Sequence, residues 1–394
     1  MMKLVWKVLV GFVVIGVVGF GILASMNRPI SEEKVREGIQ SHLEKLVDEN
    51  DSLSSVLLTI YSDKTGSHLQ FATGTKSMSS DQPVQKDSQY HTASVGKTMN
   101  ATVYGMLVDE GRISFDDKIG DWLDDDILEG LFVSNGTDYS HQVTIRHLLK
   151  HTSGIGCYFE DPVKSGKTMV ELITDNPDLL FAPKELIAFT REHQNPVGKP
   201  QQQFHYSDTG YILLGLILEA IEGKPYSDIL EERIFEPLDM KDSYLMFYHD
   251  EPADILGIYL NGIDFSGRNA LSIDWSSGSI VTTMDDLLTF MMALANGDLV
   301  SDEVYQQMTD FSESFDTGIY YGMGMMYFNF GELSFLLRSM TNVYGGMGST
   351  GTYMFYDKEK DTYFIANFGS TDFTEKSIQE LIKIRMIYDR MITE

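Results

Sequence analysis

Apolar residues recur along the chain with two different periods. Val35, Ile39, Leu43 and Leu46 fall at helical spacing, with acidic residues early in the segment, which predicts an amphipathic helix. Two β-rich runs follow in SVLLTIYSDKTGSHLQFATGTKS, around a turn containing Lys64, Thr65 and Gly66, and they predict a hairpin. From about Phe115 to Met284 the pattern is mostly helical and broken by loops. Thr144 is the expected cap of VTIRHLLKHTSGIG, which ends in Gly154 and Gly156. YSDTGYILLGLILEAIEGKP predicts a strongly apolar helix stopped by Gly223 and Pro225. TTMDDLLTFMMALANG predicts another, ended by Gly297. Strand pattern returns in YYGMGMMYFNF and GTYMFYDKEKDTYFIANFG. Asp372 and Glu375 are then expected to cap a final helix that runs to Met391.

Strands thus sit at both ends of the chain with helices between them. The economical assembly is an α/β (α+β) fold: one antiparallel sheet from N- and C-terminal strands, flanked by helices. A mostly helical lobe comes from roughly residues 115–285. A cleft between the lobes is the expected place for a site.

The first 28 residues stand apart from this pattern. Lys3 and Lys7 precede an uncharged apolar run from Val8 to Met26, long enough to cross a bilayer as a helix. No clear A-x-A cleavage pattern follows it. The expectation is a retained single-span anchor with residues 29–394 outside the cytoplasm; the alternative is secretion after signal cleavage. The 394 residues carry a net charge of -28, which argues against a nucleic-acid partner, because phosphate binding needs basic surface. A single cysteine, Cys157, excludes an internal disulfide and a paired-cysteine metal site; it reads as a buried or incidental thiol.

The stretch HTASVGKTMNATVYGMLVDEGRI carries the candidate chemistry. It places Ser94 and Lys97 three apart at a helix start, where they share one face. Backbone N–H groups there favour developing negative charge. A serine needs a base to act as a nucleophile, and a lysine one turn away can reach it. The plainer reading is a serine cap followed by a solvated lysine. Tyr206, in FHYSDTGYILLGLILE, either points its hydroxyl into a cleft as an acid or base, or packs the start of that helix. His151 is expected to hydrogen-bond its own loop. His141, His147 and His151 lack the partners of a metal site. Met323 to Phe328 are expected as strand core or cleft wall, and Asp124, Asp125 and Asp126 as a solvated helix end.

These segments together resemble the serine β-lactamase-related family, which includes class C β-lactamases, D-alanyl-D-alanine carboxypeptidases, D-aminopeptidases and related esterases. The resemblance rests on ASVGKTMNATVYGMLVDEGRISFDD, VTIRHLLKHTSGI, FHYSDTGYILLGLILEAIEGKPYSDIL, IFEPLDM, GSIVTTMDDLLTFMMAL and GSTGTYMFY. They stand in family order over nearly everything after residue 35. It implies a β-lactamase/transpeptidase-like fold, Ser94 as nucleophile, Lys97 as its partner and Tyr206 as the tyrosine of the Y-x-N motif. It implies an oxyanion hole made by the N–H groups of Ser94 and Ser349. It implies no cofactor, and a substrate that is a small molecule or peptide, cell-wall material being one candidate.

The chain departs from the family at two places. The Y-x-N motif reads Tyr206-Ser207-Asp208, so an acceptor-only carboxylate replaces an amide. Asp208 either points at Lys97 and favours its ammonium form, or caps the helix. The third motif, usually Lys-Thr-Gly or His-Thr-Gly, reads Gly346-Met347-Gly348. The missing cation points to an ester or amide without a nearby carboxylate and to weak action on β-lactams, unless Arg338 or Arg268 supplies the charge. The alternative is a non-catalytic binding or sensing module on the same fold.

Overall fold

The computed structural model describes residues 29–247 and 254–392. The expected membrane span lies outside the described residues. Eight antiparallel strands form the main sheet: β1 (Ser55–Ser62), β2 (Ser67–Gly74), β3 (Glu313–Asp316), β4 (Ile319–Tyr321), β5 (Met326–Phe328), β6 (Val343–Met347), β7 (Tyr353–Asp357) and β8 (Thr362–Asn367). Their order is β3-β4-β5-β6-β7-β8-β1-β2, so the N-terminal hairpin pairs directly with the C-terminal strands. The sheet therefore closes the chain on itself, as strands at both ends require. Lys64, Thr65 and Gly66 do lie in the turn between β1 and β2, with Gly66 in the left-handed region that the turn needs.

Helices cover both faces. On one face lie α1 (Glu32–Asp48) and the last helix, with Val35, Ile39 and Leu43 fully buried against the sheet. Each such side chain contributes about 1.5–3 kcal/mol on burial. The longer helices between are α2 (Gly96–Asp109), α3 (Met169–Asp175), α4 (Pro183–His193), α5 (Asp208–Glu222), α6 (Met284–Ala295) and α7 (Asp302–Met308); the last is α8 (Lys376–Tyr388). They build a second core on the opposite face, where α6 packs on β7, β8 and β1. Gly223 ends α5 in the left-handed region, and Thr144 caps its short helix by accepting from the His147 N–H. His147 returns the bond through Nδ1, which gives that histidine a structural task.

One helix start differs from expectation. Neither Asp372 nor Glu375 caps α8 with its side chain. Ser370 instead caps a single turn, Thr371–Phe373, that leads into α8 at Lys376, and the helix ends at Tyr388. A serine that accepts from the Asp372 N–H takes the role that the acidic pair suggested.

A row of tyrosines crosses the sheet. Tyr61 pairs with Tyr363, Tyr363 with Tyr356, Tyr356 with Tyr344, Tyr344 with Tyr327, and Tyr327 with Tyr320, each directly opposite the next. Phe311 wedges between Tyr327 and Tyr344, with ring centroids 5.4 and 5.6 Å away. Directly opposed aromatic pairs each favour one register by about 0.2–1 kcal/mol.

Candidate active site

Ser94 sits on a single 3-10 turn, Ala93–Val95, that runs straight into α2. Ala93 before it adopts φ 48°, a left-handed conformation uncommon for a residue with a side chain. The turn is held from two sides by backbone. A Cβ on Gly348 would stand 2.7 Å from the Thr92 carbonyl oxygen, and one on Gly278 would stand 2.6 Å from the Ala93 carbonyl oxygen. Both positions admit only glycine without displacement. His91 adds a hydrogen bond, its Nδ1 accepting from the Ala93 N–H at 3.1 Å.

Lys97 lies one turn on, with 1% of its side chain exposed. Its Nζ donates to Ser94 Oγ at 3.0 Å, to Asp208 Oδ1 at 2.5 Å and to the Ser277 carbonyl at 2.8 Å. All three ammonium hydrogens are thereby engaged. Asp208 thus points at Lys97. The cap of α5 is Ser207, whose side chain accepts from the Gly210 N–H. The second oxygen of Asp208 faces Cys157 Sγ at 3.6 Å, and the Asp208 N–H donates back to that sulfur. Cys157 is buried, as its type suggests, but it is a neighbour of the ion pair. Burial, with the Asp208 charge beside it, pushes its thiol pKa well up.

Tyr206 packs on His151 with ring centroids 4.3 Å apart, and its ring lies 5.1 Å from Lys97 Nζ. Tyr206 and Ser94 both border the cleft. Tyr206 thus packs against His151 and also borders the cleft. Burial and the Asp208 carboxylate raise its pKa well above the ordinary phenol range, so the phenol keeps its proton. His151 accepts from the Ser207 N–H through Nδ1, and burial keeps it neutral.

The cleft above these groups encloses about 1400 Å³, part of it open to solvent. Ser94, Tyr206, Asp208, Gly348 and Ser349 all border it. Gly346 does not. A Cβ there would meet Thr98 Oγ1 at 2.8 Å and the Val95 Cα at 3.3 Å, because β6 lies flush on α2. The position where the resemblance implies a cation is closed as well as without a side chain. Neither suggested arginine replaces it: Arg338 lies over Phe335 and Arg268 pairs with Asp178. Neither lines the cleft, and no lysine among the described residues does.

Three acidic or basic side chains in the wall carry no motif and were not singled out from the sequence. Asp274 lies 3.8 Å from His91 Nε2, and burial with the nearby Asp208 charge raises its pKa to about 7. Burial lowers His91 to about 4, so the imidazole is neutral. Glu160 is raised to about 7, chiefly by desolvation and then by Asp208. These residues reach the site from three separate segments, His91 from a short strand, so spacing could not reveal them. Only His91, three residues before Ser94, had a local signal.

The chain belongs to the Beta-lactamase family, whose model matches residues 39–380. A penicillin-binding protein of Bacillus subtilis (strain 168) is 25% identical over 299 residues, covering 68% of this chain and 58% of the relative. The chain thus spans little more than half the length of that curated relative. Among solved structures, a D-stereospecific amidohydrolase from Streptomyces sp. superposes with TM-score 0.72 at 25% identity, covering 88% of this chain and 97% of that one. The D-amino acid amidase from Ochrobactrum anthropi SV3 gives TM-score 0.74 at 22% identity, over 90% and 98%. The β-lactamase/transpeptidase-like fold expected from the sequence is the fold observed.

Proposed function

We propose that this chain is a serine hydrolase that works through an acyl-enzyme on a neutral ester or amide. The observation that carries the proposal is the buried chain Ser94 Oγ–Lys97 Nζ–Asp208 Oδ1, at 3.0 and 2.5 Å, opening on a cleft without a lining cation. The family relatives, penicillin-binding proteins and amidohydrolases among them, support it.

An ammonium that donates to Ser94 Oγ cannot take its proton at the same time. The short contact to Asp208 offers an exit. Lys97 passes one proton to Asp208 Oδ1 and takes the Ser94 proton as Oγ attacks the carbonyl carbon. The N–H groups of Ser94 and Ser349 face the developing oxyanion; such donors are commonly worth about 100-fold or more in rate. Tyr206, kept neutral, gives its proton to the leaving atom. Water then attacks the acyl-enzyme and returns a proton to Tyr206, and the proton held on Asp208 goes back to Ser94 through Lys97. Gly346 within β6 and Gly348 just after it act as spacers for the turn that carries Ser349.

The absence of a cleft cation disfavours substrates that bear a carboxylate beside the scissile bond, β-lactams and C-terminal D-Ala peptides among them. We place the domain outside the cytoplasm, with residues 1–28 as its anchor; the apolar run from Val8 to Met26 supports this. The test is a fluorophosphonate probe on residues 28–394, read by intact mass. Labelling of the wild type that disappears in Ser94→Ala is expected. Turnover should follow on p-nitrophenyl esters and be at least tenfold weaker on nitrocefin. No labelling at any pH between 6 and 9 would overturn the assignment and leave a binding module.

A further inference from the structure

The cleft does not end at the catalytic groups. From Ser94 it continues past Met347 and Ser349 to a wall formed by β4, β5 and α8. Ile319, Met326, Phe328 and Leu333 line one side and Ile378 and Ile382 the other. This distal half presents aliphatic and aromatic side chains of a sheet face and a helix face. Its few polar lining groups, Thr374, Glu375 and Gln379, all lie on one rim, at or just before the start of α8. Two residues beyond Leu333 the chain exposes Phe335 and Leu336, at 68% and 37%, so apolar surface extends outward from this end.

We infer that the distal half of the cleft seats a long hydrocarbon chain of the substrate, so that the preferred substrate is a long-chain ester or amide. This rests on the hydrolase reading above, because the chain is taken to be joined to the carbonyl that Ser94 attacks. Three features agree on that occupant. The groove is continuous with Ser94, so what fills it belongs to the substrate. Among the described residues no lysine or arginine lines it, so an anionic group finds no partner there. Its walls come from strands and helices whose Ile319, Phe328 and Ile382 are nearly buried, so a chain that enters there is desolvated on both sides.

The test uses two series of esters, each kept below its micellar concentration. One lengthens the acyl group from p-nitrophenyl acetate to octanoate. The other lengthens the alcohol of an acetate ester from ethyl to octyl. Each methylene that becomes buried is worth up to about fourfold in kcat/KM, and a total rise of at least ~10-fold is expected in one series. Ile378→Trp should lower the ratio of octyl to acetyl-sized turnover at least tenfold. Leu333→Trp, on the opposite wall, gives the same reading if the first variant folds poorly. A flat or falling dependence on length in both series, with esters still turned over, overturns this inference and leaves the hydrolase standing. No turnover of any ester, together with no fluorophosphonate labelling, overturns both.

Discussion

Lys97 spends its three hydrogens on Ser94, Asp208 and a backbone carbonyl, so protonation of its neighbours decides what it can do. Those neighbours include two acids held near pH 7, Asp274 and Glu160. The Asp274 effect has a definite sign. An acid whose pKa rises on folding holds its proton more tightly in the folded state. Its contribution is neutral below the ordinary carboxylate pKa near 4, destabilising as pH climbs to about 7, and constant above that. Asp274→Asn removes the term. The variant should match wild type in urea unfolding at pH 4 and be more stable than it at pH 8, by about 1–3 kcal/mol. An equal difference at both pH values would show that Asp274 ionises normally. The residues of this site divide by how they were found. Ser94 and Lys97 stand in one short motif at the start of α2, and Tyr206 and Asp208 in another at the start of α5, so each pair was legible, while only the fold joins the two pairs. Asp274 and Glu160 were not, since their role comes from loops that approach Lys97 only in the folded chain.

Among the elements, periodicity found α1, α5 and the first hairpin, where burial follows from local spacing alone. It misread the approach to α8, where the capping side chain is Ser370, two residues before Asp372, on the turn that precedes the helix. It also could not show the tyrosine row, which exists only once six strands are in register. The packing of β6 on α2 belongs to the same class. From the sequence, Gly346 reads as a lost side chain; in the structure it lets two backbones touch. Gly346→Lys therefore should not restore a carboxylate anchor. The new Cβ must push β6 from α2 by a few tenths of an ångström, at a cost of about 1–3 kcal/mol. Urea midpoints and nitrocefin kinetics check this. A variant as stable as wild type with improved nitrocefin turnover would show the position to be open after all.

At the scale of the molecule, one buried ion pair ties the last helix to the sheet that the first strands complete. Arg385 of α8 and Asp357 of β7 are both fully buried, with Nη2 and Oδ2 2.6 Å apart. Arg385 also donates to the Thr341 carbonyl and hydroxyl, just before β6. Such a pair adds little net stability over apolar residues of equal size, yet removing one partner leaves a buried charge without its hydrogen-bonded partner. Asp357→Ala should therefore destabilise by about 3–5 kcal/mol, whereas Asp357→Leu combined with Arg385→Met should lose much less. The same helix carries Ile378 and Ile382, so its seating also shapes the distal cleft. The single variant should accordingly lose more activity on long esters than on acetates while still folded, and the double variant should recover both. Unfolding curves and the two ester rates on the same preparations test the link. Equal losses on long and short esters would separate the fold's closure from the shape of the cleft.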